Sequence, residues 1–436
     1  MLSHTALSAL RTLALLACVI CCAPALHAYS VLTHEEVVDM AWKDYMVPLL
    51  RERYPGLTQE QIREAHSYAY GGSLIQDLGY YPFGNRFFSD MLHYVRTGDF
   101  VEALLRDATN ADELAFALGA LAHYTSDTVG HPYVNHLVAL QFPRLEKKFG
   151  DPITYEQSKS AHIRTEFGLD VAGVAKGFYT QEAYRDFVGF NVARPLLDRA
   201  FEETYGLRVA DLLHDEDHAI RTYRWAVCEL IPRVTKSAAK HYADDIEKAH
   251  PGYDRKKFQY RMSRTEFEKN WKGTYQRPGW KTRFLAFLVK VLPKIGPLKI
   301  LKARVPDADQ QTLYFRSVNE TTDHLIASTK TLRKGASAPP LSEINLDTGK
   351  PTAAGQYDLS DATYADLLDR IVELGKTEPN RVPMELRANL QRYFAGAPKL
   401  IPAKDKTLRK KMQDGEIATR LELLKQMPTV SVAKSN

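Results

Sequence analysis

Glu113-Leu-Ala-Phe-Ala-Leu-Gly-Ala-Leu-Ala-His123-Tyr-Thr-Ser-Asp127-Thr-Val-Gly130-His131-Pro132 is the stretch whose reading decides this chain. From Leu114 to Ala122 it is continuously apolar. A helix that is hydrophobic all round is a buried helix. His123 and Asp127 follow with a spacing of four, which places both side chains on one helix face, one turn apart. Buried polar groups without a partner are costly, so this pair needs one: a metal ion, or a hydrogen bond inside the core. Gly130 and Pro132 read as the end of the helix, since both residues break helices.

A second pair, His162-Ile-Arg-Thr-Glu166, repeats the spacing. The spacing alone is weak, because the chain carries 14 histidines and many acids. His241/Asp245 and His250/Asp254 share it and read as surface residues of a charged stretch. Further candidate ligands lie upstream at His34, Asp77 and His93. Histidine and carboxylate without thiolate suit catalytic rather than structural zinc. Neighbouring metals can clamp both oxygens of an in-line phosphoryl displacement. The set therefore predicts a multi-metal hydrolytic site, with Asp77 as the base or water-orienting group. No serine, cysteine or Walker-type phosphate motif competes with it.

The rest of the chain fits an exported, mostly helical protein. At 436 residues, 44% of them hydrophobic, it has material for a sizeable core. A net charge of +5 is mild and neither demands nor excludes an anionic partner. The run from Thr12 to Ala25 is too short to span a bilayer comfortably and is followed by Ala23-Pro-Ala-Leu-His-Ala28. Residues 1–28 therefore read as a signal peptide cleaved before Tyr29, giving a secreted or periplasmic protein. Lipid attachment at Cys18 is the rival reading. Three of the four cysteines lie in this leader, so Cys228 is left alone and no internal disulfide can hold the mature fold.

Helical periodicity runs from Glu35 to Arg53, Thr58 to Tyr70, Arg86 to Val95, Phe100 to Arg106 and Asp112 to Thr128. It continues from Val134 to Phe149, Ser160 to Lys176, Gln181 to Tyr205 and His218 to His241. Thr58-Gln-Glu-Gln61 is a capping box. Strand-like alternation is scarce, so the expected class is all-α, a multi-helix bundle over 29–250. Residues 251–436 form a mainly helical extension of undefined role. Within it, Phe284 to Leu301 is apolar with interspersed Lys, either core or a basic amphipathic membrane-facing surface. Residues 335–357 read as loop, Asp361 to Leu374 and Pro383 to Phe394 as helix, and the tail beyond Pro398 as loosely ordered. His66 reads as ordinary helix surface. Tyr80, Tyr81 and Phe83, in the Gly-rich and aromatic loop from Gly71 to Gly84, either line a substrate cleft or pack on their own core.

The order His34, Asp77, His93, His123-x3-Asp127, His131, His162-x3-Glu166 resembles that of the bacterial zinc-dependent phospholipase C family, which shares a helical fold with the S1/P1 nucleases. The segments Tyr29-Ser-Val-Leu-Thr-His-Glu35 and Ala122-His-Tyr-Thr-Ser-Asp-Thr-Val-Gly-His-Pro132 are its most typical parts. The resemblance implies three zinc ions. Asp77, His93, His123 and Asp127 would hold one, and His131, His162 and Glu166 a second. His34, Asp127 and the free amino group and carbonyl of Tyr29 would hold a third. It implies a phospholipase C acting on phospholipid or a membrane surface, as a monomer. A nuclease acting on nucleic acid is the alternative, and a metal-stabilised module without activity is another. The chain departs from the family at Tyr29, where Trp is common. It also departs in the spacing after Asp127, where His131 and His136 compete and the expected turn at Gly130 favours His131.

Overall fold

The computed structural model describes residues 31–176, 189–231, 235, 238, 303–334, 340–395 and 415–427. The leader, Tyr29, the pairs at His241 and His250 and the run from Phe284 to Leu301 lie outside the described residues. The chain is all-α. Helix α1 (Val31–Ala41) passes through a π-helical turn (Trp42–Met46) into α2 (Val47–Arg53). Helix α3 (Gln59–Gly72) starts on the Thr58/Gln61 capping box and runs into a 3-10 turn, Ile75–Tyr80, that carries Asp77. Next come α4 (Arg86–Tyr94), α5 (Thr97–Asp107), α6 (Ala111–Gln141), α7 (Pro143–Phe149) and α8 (Lys159–Lys176). Then follow α9 (Arg194–Tyr205), α10 (Val209–Leu212) and α11 (Glu216–Trp225). The C-terminal part adds α12 (Ala308–Arg333), a two-stranded hairpin β1 (Ile344–Asn345) and β2 (Lys350–Pro351), α13 (Asp358–Thr377), α14 (Met384–Ala395) and α15 (Glu416–Gln426). Among the described residues no helix is long and apolar enough to cross a membrane.

Helix α6 is the central post. It is capped at Asn110, whose side chain accepts from the Glu113 amide, and it is buried almost continuously from Glu113 to Asp127. Helices α3 and α12 pack along it. The α3–α6 crossing is close because glycines meet backbone there. A Cβ on Gly119 would strike the Ala69 carbonyl, and one on Gly72 would strike the Phe116 carbonyl. This crossing brings the end of α3, and the turn with Asp77, against the middle of α6.

Several expectations are corrected. Gly130-His131-Pro132 does not end the helix, which continues as α6 to Gln141 with Pro132 inside it. Proline in a helix interior removes one hydrogen bond and costs on the order of 3 kcal/mol. Burial of Val134, Leu137 and Val138 beyond it outweighs that loss. His66 is buried rather than exposed: it stacks on Trp42 with ring centroids 4.0 Å apart, and its Nε2 lies 3.1 Å from Asp39 Oδ1. The loop at 335–357 contains the β1–β2 hairpin, and the tail contains α15. Helix α12 was not read from the sequence: its buried stripe of Tyr314, Val318, Leu325 and Ile326 is diluted by buried Thr321, Thr322 and Thr329.

Candidate metal centre

Three groups of buried side chains point atoms at one another in the interior, around the middle of α6. One is His34, His123 and Asp127; the next is Asp77, His93 and His123; the last is His131, His162 and Glu166. In each group the nearest ligand-type atoms all lie within 4.8 Å of one another. The eight positions read from the sequence thus fall into these three groups, the first two sharing His123 and the third facing them through the electrostatic pull of His131 on Asp127. Tyr29 lies outside the described residues.

The helices explain the convergence. Because α6 runs on through Pro132, His123, Asp127 and His131 stand four residues apart on one stripe. Helix α1 delivers His34, with its Nε2 3.5 Å from Asp127 Oδ1 and its ring stacked on His123 at 4.4 Å. Helix α4 delivers His93, whose Nε2 is 3.4 Å from Asp77 Oδ1 and 3.5 Å from Asp127 Oδ2. Helix α8 delivers His162 and Glu166, 2.9 Å apart, with His131 Nε2 3.6 Å from the same Glu166 oxygen. His136, the competitor of His131, is turned outward: its side chain is 40% exposed and pairs with Asp151.

The orientation of the rings is fixed from behind. His123 Nδ1 meets the Ser73 carbonyl at 2.9 Å and His93 Nδ1 the Ser89 carbonyl at 2.8 Å. A carbonyl can only accept, so each Nδ1 carries a proton and, in the neutral ring, Nε2 keeps its lone pair. Ligating histidines are held this way. The inward atoms His93 Nε2, His123 Nε2, His131 Nε2, Glu166 Oε1 and both oxygens of Asp77 and of Asp127 are fully buried and have no hydrogen-bond partner among the described residues. Even the 3.0 Å approach of His123 Nε2 to Asp127 Oδ2 lacks hydrogen-bond geometry. So many orphaned acceptors in one place is untenable for a dry core. Divalent cations would satisfy them group by group, and a set of nitrogen and carboxylate donors without thiolate fits zinc.

Burial dominates the electrostatics. It lifts Asp77 and Glu166 above the ordinary carboxylate range. It also lowers His162 to about 4, against the charges of Asp347 and Asp127, and His34 falls well below its ordinary value through burial and the facing His123. At His93 the pull of Asp77 overcomes burial and raises the imidazole to about 9. A bound cation would invert this pattern, favouring ionised carboxylates and neutral imidazoles.

The aromatic residues of the loop divide. Tyr80 is buried with its ring tilted on His93 at 5.4 Å and its hydroxyl donating to Asp90 at 2.9 Å. Tyr81 is buried edge-on to Tyr223 at 4.8 Å. Phe83 is 62% exposed, with positive φ, against the His218 ring. Sequence reasoning missed Tyr155, which faces His162 edge-on at 5.6 Å, and Asp347. Neither carries a local signal, since each reaches the centre only through the fold.

Residues 33–214 match the family model described as zinc-dependent phospholipase C. No curated protein and no solved structure matches the chain. The matched residues contain all eight of the converging side chains, so over 33–214 the chain is similar to the zinc-dependent phospholipase C family in the very residues that form the cluster.

Proposed function

We propose that this is an exported zinc-dependent phosphodiesterase that hydrolyses phospholipids between the phosphate and diacylglycerol. The observation that supports it most is the set of orphaned buried donors on helices that match the family. Asp77, His93, His123 and Asp127 would hold one zinc ion. His131, His162 and Glu166 would hold a second. His34 and Asp127, together with Tyr29 as the first mature residue, would hold a third. Bound zinc supplies Lewis acidity and brings the ionisation of water near neutral pH.

The chain's own residues supply the remainder. Asp77, an ionised carboxylate beside the bound cation, orients the attacking water and takes its proton. The Ser73 and Ser89 carbonyls hold His123 and His93 in one tautomer. Tyr80, packed on His93, and Tyr81 back the centre from inside, and Phe83 is the exposed aromatic of the same loop that would meet substrate. The water adds to phosphorus, the bond to the glycerol oxygen breaks, that oxygen takes up the proton released from the water, and diacylglycerol and the phosphorylated head group leave.

The test compares phosphatidylcholine vesicles and single-stranded DNA as substrates for the mature protein, zinc-loaded and zinc-stripped. Diacylglycerol release by the loaded form, reduced at least about a hundredfold in Asp77→Asn, is the expected result. Cleavage of DNA with no release of diacylglycerol would replace this reading with a nuclease. Equal lipid hydrolysis with and without zinc would end it.

A further inference from the structure

The matched family region stops at residue 214, yet the carbonyl that orients His131 belongs to a residue far beyond it. His131 Nδ1 donates to the carbonyl of Leu346, in the turn of the β1–β2 hairpin. Its two fellow α6 and α4 histidines are oriented from within the matched region, by Ser73 and Ser89. His131 alone of these three takes its acceptor from the C-terminal part. The Leu346 amide in turn donates to the carbonyl of His93 at 3.0 Å, so one residue touches two candidate ligands.

The hairpin is stitched in place along its length. Ile344 exchanges hydrogen bonds with the Thr97 hydroxyl at 2.9 and 3.1 Å. The Asp347 carbonyl accepts from Asn135 Nδ2 at 2.9 Å, and Asn135 stands one turn beyond His131 on α6. The Asp347 carboxylate is 2% exposed and takes the hydroxyls of Tyr94, at 2.7 Å, and Tyr357, at 2.5 Å. Tyr94 is the neighbour of His93. Gly349 closes the turn at φ +65°, where a Cβ would fall onto the Thr128 carbonyl and the Pro132 ring. Pro132 has no N–H to offer that carbonyl, so the missing rung of α6 is the place where the hairpin seats.

We infer that the 344–349 hairpin is a positioning element of the metal centre: Leu346 fixes the tautomer and direction of His131, and Asp347, clamped by Tyr94 and Tyr357, fixes Leu346. The region outside the family match thereby completes the His131–His162–Glu166 site. This rests on the zinc reading above. Partners behind a ligating histidine typically change metal affinity by about 10–100-fold when lost.

The test uses the full mature chain and zinc alone, titrated against a competing chelator, with circular dichroism as the folding control. Gly349→Ala, which pushes the hairpin off α6, should weaken the tightest-affected zinc about tenfold or more, with helical content unchanged. Asp347→Asn, which removes the charge without adding bulk, should weaken the same zinc less and leave the others as in the wild type. If the wild type binds zinc and both variants bind it equally well, the hairpin has no positioning role and the metal reading stands. If the folded wild type binds no zinc, both fall together. If Gly349→Ala fails to fold, the result for Asp347→Asn decides.

Discussion

Glu343 sits half-buried beside Asp99 and Arg96, and burial, joined by the Asp99 charge, pushes its carboxyl up to about 8 from an ordinary 4.5. An acid whose pKa is raised by folding contributes stability fully below its unfolded value, and loses it as pH rises through the folded value. The wild type should therefore lose this contribution between about pH 4.5 and about pH 8. Glu343→Gln removes the titrating group, so its stability relative to the wild type should improve over that window. Urea midpoints at the two ends would show this, and parallel profiles for the two proteins would refute it. Single side chains also mark what could be read locally. The pairs His123/Asp127 and His162/Glu166 were legible because one helix turn fixes their relation. Asp347 was not, because its meaning depends on Tyr94, 253 residues away.

At the scale of elements, the α3–α6 crossing does two jobs. It buries the apolar faces of both helices, and it sets the Ser73 carbonyl behind His123. Gly119 allows the approach, since a Cβ there would overlap the Ala69 carbonyl and crowd the Ser73 amide. Gly119→Ala should cost about 1–3 kcal/mol, the usual penalty of overpacking. It should also weaken zinc binding, because the shift moves the acceptor of His123. Thermal denaturation and zinc titration of this variant would check both, and a stable variant with unchanged zinc affinity would contradict the argument. The same scale shows why α6 was misjudged. Gly130 and Pro132 are local stop signals, but Val134, Leu137 and Val138 beyond them are buried, and packing decided the outcome.

For the whole molecule, the metal centre joins parts that are far apart in the chain: α1, the 75–80 turn, α4, α6, α8 and the C-terminal hairpin. A ligand that binds only the folded state stabilises it by mass action, by about 2.7 kcal/mol at a free concentration a hundred times its dissociation constant. Stripping zinc should therefore lower the melting temperature, and adding it back should restore it. An identical melt with and without chelator would show that the orphaned donors do not hold a metal. The C-terminal part belongs to this same unit in structural terms. Helix α12 reaches back to α1, where Tyr314 shares a 2.7 Å hydrogen bond with Thr33, the residue before His34.

The sequence by itself determined the all-α class, the helix that forms the central post and seven of the eight inward side chains, all but His131. Those depend on short-range regularities: helical period, capping and i,i+4 spacing. The tertiary structure decided that α6 continues through Pro132 and that His131 rather than His136 faces inward. It also decided that a hairpin some two hundred residues later seats on the gap left by that proline. These outcomes rest on burial and on hydrogen bonds between distant segments, which no local pattern records.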